Sequence, residues 1–301
     1  MNFKRISIED QEVMTSYFEK RNILSCEYNF TTLMIWSIRY KIDYAVADDF
    51  MLIMEECNGE VYGLMPVCEE VHFEKALKAL QAHFDSLGLP LKIYVADEVF
   101  ANYVQKVCPD CYSVTTNRNE YDYLYDAHAL RTLEGKKLRK KRNHINAFLR
   151  EMDGRWLYRE LHKADDDIII AYFNEWYETK EIEDEMLDQE LHGIKKLLEH
   201  IDELDYHVAG IFIDDQLKAF TIASLANNNQ LGIIHVEKAE AEIRGLYPMI
   251  TQQFLINTLK DVTLVNREDD IGDEGLRKSK LSYYPIDFAK KFTIIEIDKK
   301  V

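Results

Sequence analysis

His235-Val-Glu-Lys-Ala-Glu-Ala-Glu-Ile-Arg-Gly-Leu-Tyr-Pro-Met-Ile250 follows directly from the apolar run Leu231-Gly-Ile-Ile-His-Val236. The run reads as a buried strand; charged residues interrupt it, and a helix begins near Leu246. A strand that passes through a polar break into a helix start collects backbone N–H groups and the positive end of the helix dipole at one spot. A phosphate, or a negative charge developing in a reaction, can sit there.

The flanking pattern extends this reading. Upstream lie strands at 206–213, 218–226 and 230–236, separated by Asp214-Asp215 and by Asn227-Asn228-Asn229. Helices at about 166–179 and 185–203 precede them, preceded in turn by a helix at 136–152 and a strand at 155–160. Downstream come a helix at about 245–259, a short strand at 263–265, a short helix at 273–280 and a closing strand at 292–297. The first half has the same order. It holds helices at 8–22 and within 28–38, then strands at 42–47, 50–56 and 61–67, with Asn58-Gly59 as a two-residue hairpin turn. A helix at 69–87 stops at Gly88, and a strand at 91–95, a helix at 97–107 and a segment at 112–116 lead to a strand at 121–125. The repeat is one of element order, without residue-level identity, and implies two copies of one α/β module, cut at 1–127 and 128–301.

Composition permits this. The chain has 301 residues with 47% apolar and 30% charged side chains and few Gly and Pro, so two packed cores are within reach and disorder is not. No apolar run reaches the roughly 18 residues of a membrane span, and the first residues lack the apolar segment of a secretory signal. Five cysteines, with only Cys108-Pro-Asp-Cys111 closely spaced, read as a reduced cytoplasmic protein. The net charge of −17 argues against indiscriminate polyanion binding. Against it stands one basic cluster, Lys136-Lys137-Leu-Arg-Lys-Lys-Arg142, which points to a local anionic partner. The histidines show neither HxH nor HExxH spacing, so no metal is expected.

The element order resembles that of the GNAT acyltransferase fold. Of that family's phosphate loop only Arg244-Gly245, followed by Leu246-Tyr247, has a counterpart here, and Gly245 reads equally well as a residue permitting a tight turn. Four segments together resemble a bacterial family related to the C-terminal domain of phosphatidylglycerol lysyltransferase: Tyr28-Asn-Phe-Thr-Thr-Leu-Met-Ile-Trp36, Gly135-Lys-Lys-Leu-Arg-Lys-Lys-Arg-Asn143, His235-Val-Glu-Lys-Ala239 and Asn266-Arg-Glu-Asp-Asp-Ile-Gly-Asp-Glu-Gly-Leu-Arg-Lys-Ser-Lys280. The resemblance implies an α/β fold of two tandem GNAT-like modules, each a mixed, mainly antiparallel sheet flanked by helices, the first a degenerate copy. It implies transfer of an acyl or aminoacyl group from an anionic donor, aminoacyl-tRNA or acyl-CoA, with no tightly bound cofactor. The acceptor would be an amine or hydroxyl on a small molecule, peptide or lipid. A non-catalytic GNAT-like ligand-binding protein is the alternative from another class.

Candidate site residues follow from the chemistry. Acyl transfer needs a proton acceptor and donors for the oxyanion. Strand alternation places His235 and Glu237 on one face, so either can be the base, while His235 can equally be a structural hydrogen-bonding group. The resemblance places a carboxylate at Glu237. On the basic helix, Leu138, Ile145, Leu149 and Met152 form a stripe, with Arg142 about 40° and Lys141 about 60° from it. Both are expected to reach a ligand anion, with an internal salt bridge as the alternative for Arg142. Arg244, Gly245 and Tyr247 complete the donor-binding set. The charged segment after the strand at 263–265 offers Asn266, Arg267, Glu268 and Asp270, then Arg277 and Lys280 on one helix face, either as a substrate clamp or as a capping and salt-bridge network. Tyr283 either donates a proton or packs.

Overall fold

A computed structural model describes residues 1–178 and 185–297. In chain order the elements are β1 (Lys4–Arg5), α1 (Gln11–Phe18), α2 (Phe30–Trp36), β2 (Lys41–Val46), β3 (Phe50–Cys57), β4 (Glu60–Leu64), β5 (Val67–Cys68), α3 (Phe73–Leu87), β6 (Lys92–Ala96), α4 (Glu98–Val107) and β7 (Tyr112–Thr116). They continue with β8 (Asp122–Asp126), α5 (Ala127–Thr132), α6 (Arg139–Glu151), β9 (Trp156–Glu160), α7 (Asp166–Glu178), α8 (Glu185–Leu198), β10 (Tyr206–Ile213), β11 (Gln216–Ala226), β12 (Leu231–Ala239), α9 (Leu246–Asn257), β13 (Leu264–Asn266), α10 (Glu274–Leu281), β14 (Asp287–Ala289) and β15 (Phe292–Glu296). The expected helix end at Thr179 lies outside the described residues.

Local signals explain most boundaries. Gly88 ends α3 in the left-handed conformation, φ 68°, and Asn58 and Gly59 both take positive φ in the β3–β4 turn, as a type I′ hairpin requires. Asp97 caps α4 by accepting from Phe100 N–H, and Asp273 caps α10 by accepting from Leu276 N–H.

Two mixed sheets result. The first runs β1-β2-β3-β4-β6-β15-β7, with β5 on β3; the second runs β14-β8-β13-β12-β11-β10-β9. The anticipated cut at 127/128 needs correction. One compact unit comprises residues 1–122, 269–272 and 288–301, the other residues 123–268 and 273–287. Thus β8, read from sequence as the last strand of the first copy, pairs with β13, and β15, read as the last strand of the second copy, pairs with β6 and β7. Element order carries no information on which sheet a strand joins; pairing does.

The second sheet positions the candidate site. Helices α6 and α9 cover one face, where Ile145 and Phe148 meet Leu246, Met249 and Ile250 over Ile211 and Ala219. Phe148 is fully buried and Leu149 is 37% exposed, so the stripe of α6 runs through Phe148 where the helical wheel put Leu149. On the other face Phe220 of β11 packs edge-on against Tyr172 and Phe173 of α7.

Candidate functional site

Strand β12 has two irregularities. Against β11 its register shifts: Ile222 lies opposite Val236 but Ala223 opposite Ile234, so His235 is the extra residue of a β-bulge. Against β13 its parallel ladder pairs only Leu231, Gly232 and Ile233, so from His235 to Ala239 the strand is laddered on one side alone. The bulge also corrects the expectation that His235 and Glu237 share a face, because it interrupts the two-residue period. His235 bonds through Nε2 to Ser224 Oγ at 2.7 Å and through Nδ1 to Glu268 Oε1 at 3.2 Å. Ser224 lies on the side of β11 that carries Phe220 toward α7. Burial pushes the His235 pKa down to about 3, so the ring is neutral at physiological pH and is held by hydrogen bonds at both nitrogens.

Glu237 belongs to a separate network. Its two carboxylate oxygens accept from Arg267 Nη2 and from Thr251 Oγ1, each at 2.8 Å. Arg267 stands 4.8 Å from the Tyr283 ring centroid and 5.9 Å from that of Tyr125. Burial alone would weaken its charge, but Glu237 and the two tyrosines hold it well above the ordinary value. Lys141 sets its ammonium 3.6 Å from the Tyr283 ring centroid. Burial, and then the Arg267 charge, push the Lys141 pKa down to about 8. Burial pushes the Tyr283 hydroxyl up to about 12, so it stays protonated. Four sequence candidates, Glu237, Arg267, Tyr283 and Lys141, thus come together. Thr251 and Tyr125 join them without having been singled out: neither belongs to a motif or a charged run, and only the fold brings them to Glu237 and Arg267.

The remaining candidates divide. Arg142 does not reach toward the site; its guanidinium donates to the carbonyls of Leu133 and Gly135, closing the turn after α5. Lys280 donates to the Arg267 carbonyl at 2.6 Å and so ties α10 to the segment bearing Arg267. Asn266 is fully buried and accepts from Glu268 N–H, which fixes Glu268 at a positive φ of 56°. Asp270 lies in the other unit, fully buried beside Arg118. Arg277 is half-buried on α10, a helix with no buried residue.

Gly245 is needed for packing. It caps α9 at φ 87°, and a Cβ there would lie 2.2 Å from the His144 carbonyl oxygen. At the helix start it opens, Leu246 N–H donates to the Ile243 carbonyl and Pro248 has no N–H to offer. Tyr247 is half-buried, and burial raises its hydroxyl pKa. Arg244 is exposed, close enough to join Lys140 and Lys141 in lowering the pKa of His144 beyond what burial does.

A sequence profile described as "Phosphatidylglycerol lysyltransferase, C-terminal" matches residues 19–295. An uncharacterised protein of Mycoplasmoides gallisepticum is 25% identical over 173 residues, which is 58% of this chain and 55% of that protein, so the chain spans about half the length of this curated relative. A conserved Bacteroides thetaiotaomicron protein of unknown function superposes with TM-score 0.94 at 26% identity, over 99% of this chain and all of the other. The structure of L-PGS from Bacillus licheniformis gives TM-score 0.68 at 13% identity, over 97% and 93% of the two chains. A tandem GNAT protein from the clavulanic acid biosynthesis pathway gives 0.53 at 9%, over 98% of each. The two-sheet α/β architecture is therefore that of tandem GNAT-like proteins. Among the described residues no helix is long and apolar enough to cross a membrane.

Proposed function

Because the chain belongs to the family of the phosphatidylglycerol lysyltransferase C-terminal domain, we propose that it is an aminoacyltransferase that uses aminoacyl-tRNA as donor and an amine or hydroxyl as acceptor. The observation that carries this is the half-buried Lys141 amine, with a pKa of about 8, seated on a protonated Tyr283 beside the fixed Glu237–Arg267 pair.

In this mechanism the acceptor attacks the ester carbonyl, and the neutral fraction of Lys141 takes the proton it releases. Backbone N–H groups on the open side of β12 receive the oxyanion. The Tyr283 hydroxyl donates a proton to the ribose oxygen that leaves. Glu237 acts as a positioning residue, since Thr251 and Arg267 occupy both of its oxygens.

The donor preference rests on α9. In its first turn the Leu246 N–H is taken by the Ile243 carbonyl and Pro248 has none, which leaves fewer donors for a pyrophosphate and disfavours acyl-CoA. Lys140 and Arg244, both exposed near His144, suit a polynucleotide phosphate backbone instead.

Single-turnover deacylation tests this reading, using a set of charged tRNAs and acyl-CoAs with amine and hydroxyl acceptors. Aminoacyl-tRNA should be consumed, with a rate that rises with pH through about 8 as Lys141 loses its proton. Lys141→Met should slow the step by roughly 10²–10⁴-fold, the usual worth of a general base. Turnover of acyl-CoA alone, or an undiminished rate in Lys141→Met, would refute it.

A further inference from the structure

Cys108-Pro-Asp-Cys111 lies in the first unit and has no part in the chemistry above. The two cysteines are disulfide-bonded, with Cα atoms 5.3 Å apart. The turn that carries them is closed independently of the sulfurs, because Cys111 N–H donates to the Cys108 carbonyl at 3.2 Å. Pro109 presets the backbone at the second position of that turn. The backbone therefore holds the two sulfurs within bonding reach whether or not they are joined. Both cysteines are half-buried, and Pro109 and Asp110 between them are exposed.

We propose that Cys108 and Cys111 form a reversible dithiol–disulfide couple that exchanges with low-molecular-weight thiols and disulfides. Two other roles fit less well. A structural staple gains by closing a long loop, and this ring spans one turn that a backbone hydrogen bond already closes. A metal site needs further ligands, and the only group of Cys, His, Asp and Glu spaced for a metal among the described residues is Cys26, Glu27 and Asp122.

The exchange balances as follows. One cysteine thiolate attacks an oxidised low-molecular-weight disulfide such as oxidised glutathione, forming a mixed disulfide and releasing one thiolate. The second cysteine, as thiolate, attacks the protein sulfur of that mixed disulfide and releases the other. The protein gives up two electrons and two protons, and the small disulfide becomes two thiols.

The test is thiol counting on the native full chain with dithionitrobenzoate, after equilibration in glutathione buffers of defined ratio. Cys26 and Cys68 are buried and Cys57 is half-buried, which separates the classes. One thiol should react in oxidised protein and three in reduced protein, with a reversible midpoint between the two states. Cys108→Ser should trap a glutathione adduct on Cys111, because the resolving sulfur is gone. A thiol count independent of the buffer would overturn the proposal. So would a disulfide that forms but resists an excess of reduced glutathione, since that is the behaviour of a staple. A matching thermal melt of Cys108→Ser and the native chain guards against reading unfolding as exchange. Neither outcome depends on the aminoacyl-transfer assay.

Discussion

Replacing Lys291 with Met should destabilise the first unit severely. Lys291 is 2% exposed and its ammonium lies 2.6 Å from Glu27 Oε1, 2.6 Å from Asp122 Oδ1 and 3.7 Å from Asp269 Oδ2. Burial works against its charge, but Asp122, Cys26, Glu27 and Asp269 together hold its pKa well above the ordinary lysine value. Donor atoms of Cys26, Glu27 and Asp122 lie within 4.8 Å of one another, an arrangement that demands a cation, and Lys291 supplies it. Met keeps the apolar stem and removes only the charge. Asp122, fully buried, would retain the Cys26 N–H at 2.8 Å as a donor but lose its counterion. Breaking a buried ion pair by removing one partner costs ~3–5 kcal/mol. At roughly 2–4 °C per kcal/mol for a domain of this order of size, the melting transition should fall by about 10 °C. Urea melts of the variant and the native chain at pH 7.5 and pH 5, as approximate working points, provide the assay. The deficit should shrink at the lower pH, where the uncompensated carboxylates take up protons. A loss below about 1 kcal/mol, or a deficit independent of pH, would show that the three acidic groups are not held by Lys291 and refute the reasoning.

Three further outcomes are expected. Glu55 is 8% exposed, and burial pushes its pKa from 4.5 up to about 7. Its folded state therefore binds the proton more tightly than the unfolded chain, so the contribution of Glu55 to stability is fully present below pH 4.5 and is lost as pH rises from 4.5 to 7. Glu55→Gln should remove that decline and stabilise the protein above neutral pH by up to ~3 kcal/mol, as read from melts across pH. Gly245→Ala should destabilise by at least ~2 kcal/mol, because the new Cβ meets the α6 backbone and φ is positive; calorimetry would show a melt unchanged if that packing is wrong. Arg142→Ala should cost ~1–3 kcal/mol of stability through the two carbonyls it leaves unpaired, with the affinity for aminoacyl-tRNA unchanged; weakened donor binding in a filter assay with unaltered stability would return Arg142 to the site.

What the sequence revealed of this fold and site depended on how far each signal reaches. Gly88, Asn58-Gly59 and Asp97 act on backbone groups within a few residues of themselves, so their turns and caps were readable in isolation. A helical wheel places Arg142 nearer the apolar stripe than Lys141, but a wheel gives direction and not what lies there. The short helix α5 was not foreseen, and its trailing carbonyls at Leu133 and Gly135 are what capture Arg142. The same limit explains the choice between the two arginines after β13. Helical spacing groups Arg277 with Lys280 but says nothing of Arg267, which a ladder places: Ile233 lies opposite Asn266, so Arg267 leaves the end of β13 where β12 continues unladdered on that side to Glu237. Register is a property of two strands and cannot be read from either one. His235 makes the point most sharply. Strict alternation joins it to Glu237, and a bulge of one residue, invisible in composition or periodicity, gives it to Ser224 and Glu268 instead. That single inserted residue separates a buried neutral strut from the charged network around Tyr283, and so determines which ionisable groups are left to handle a proton.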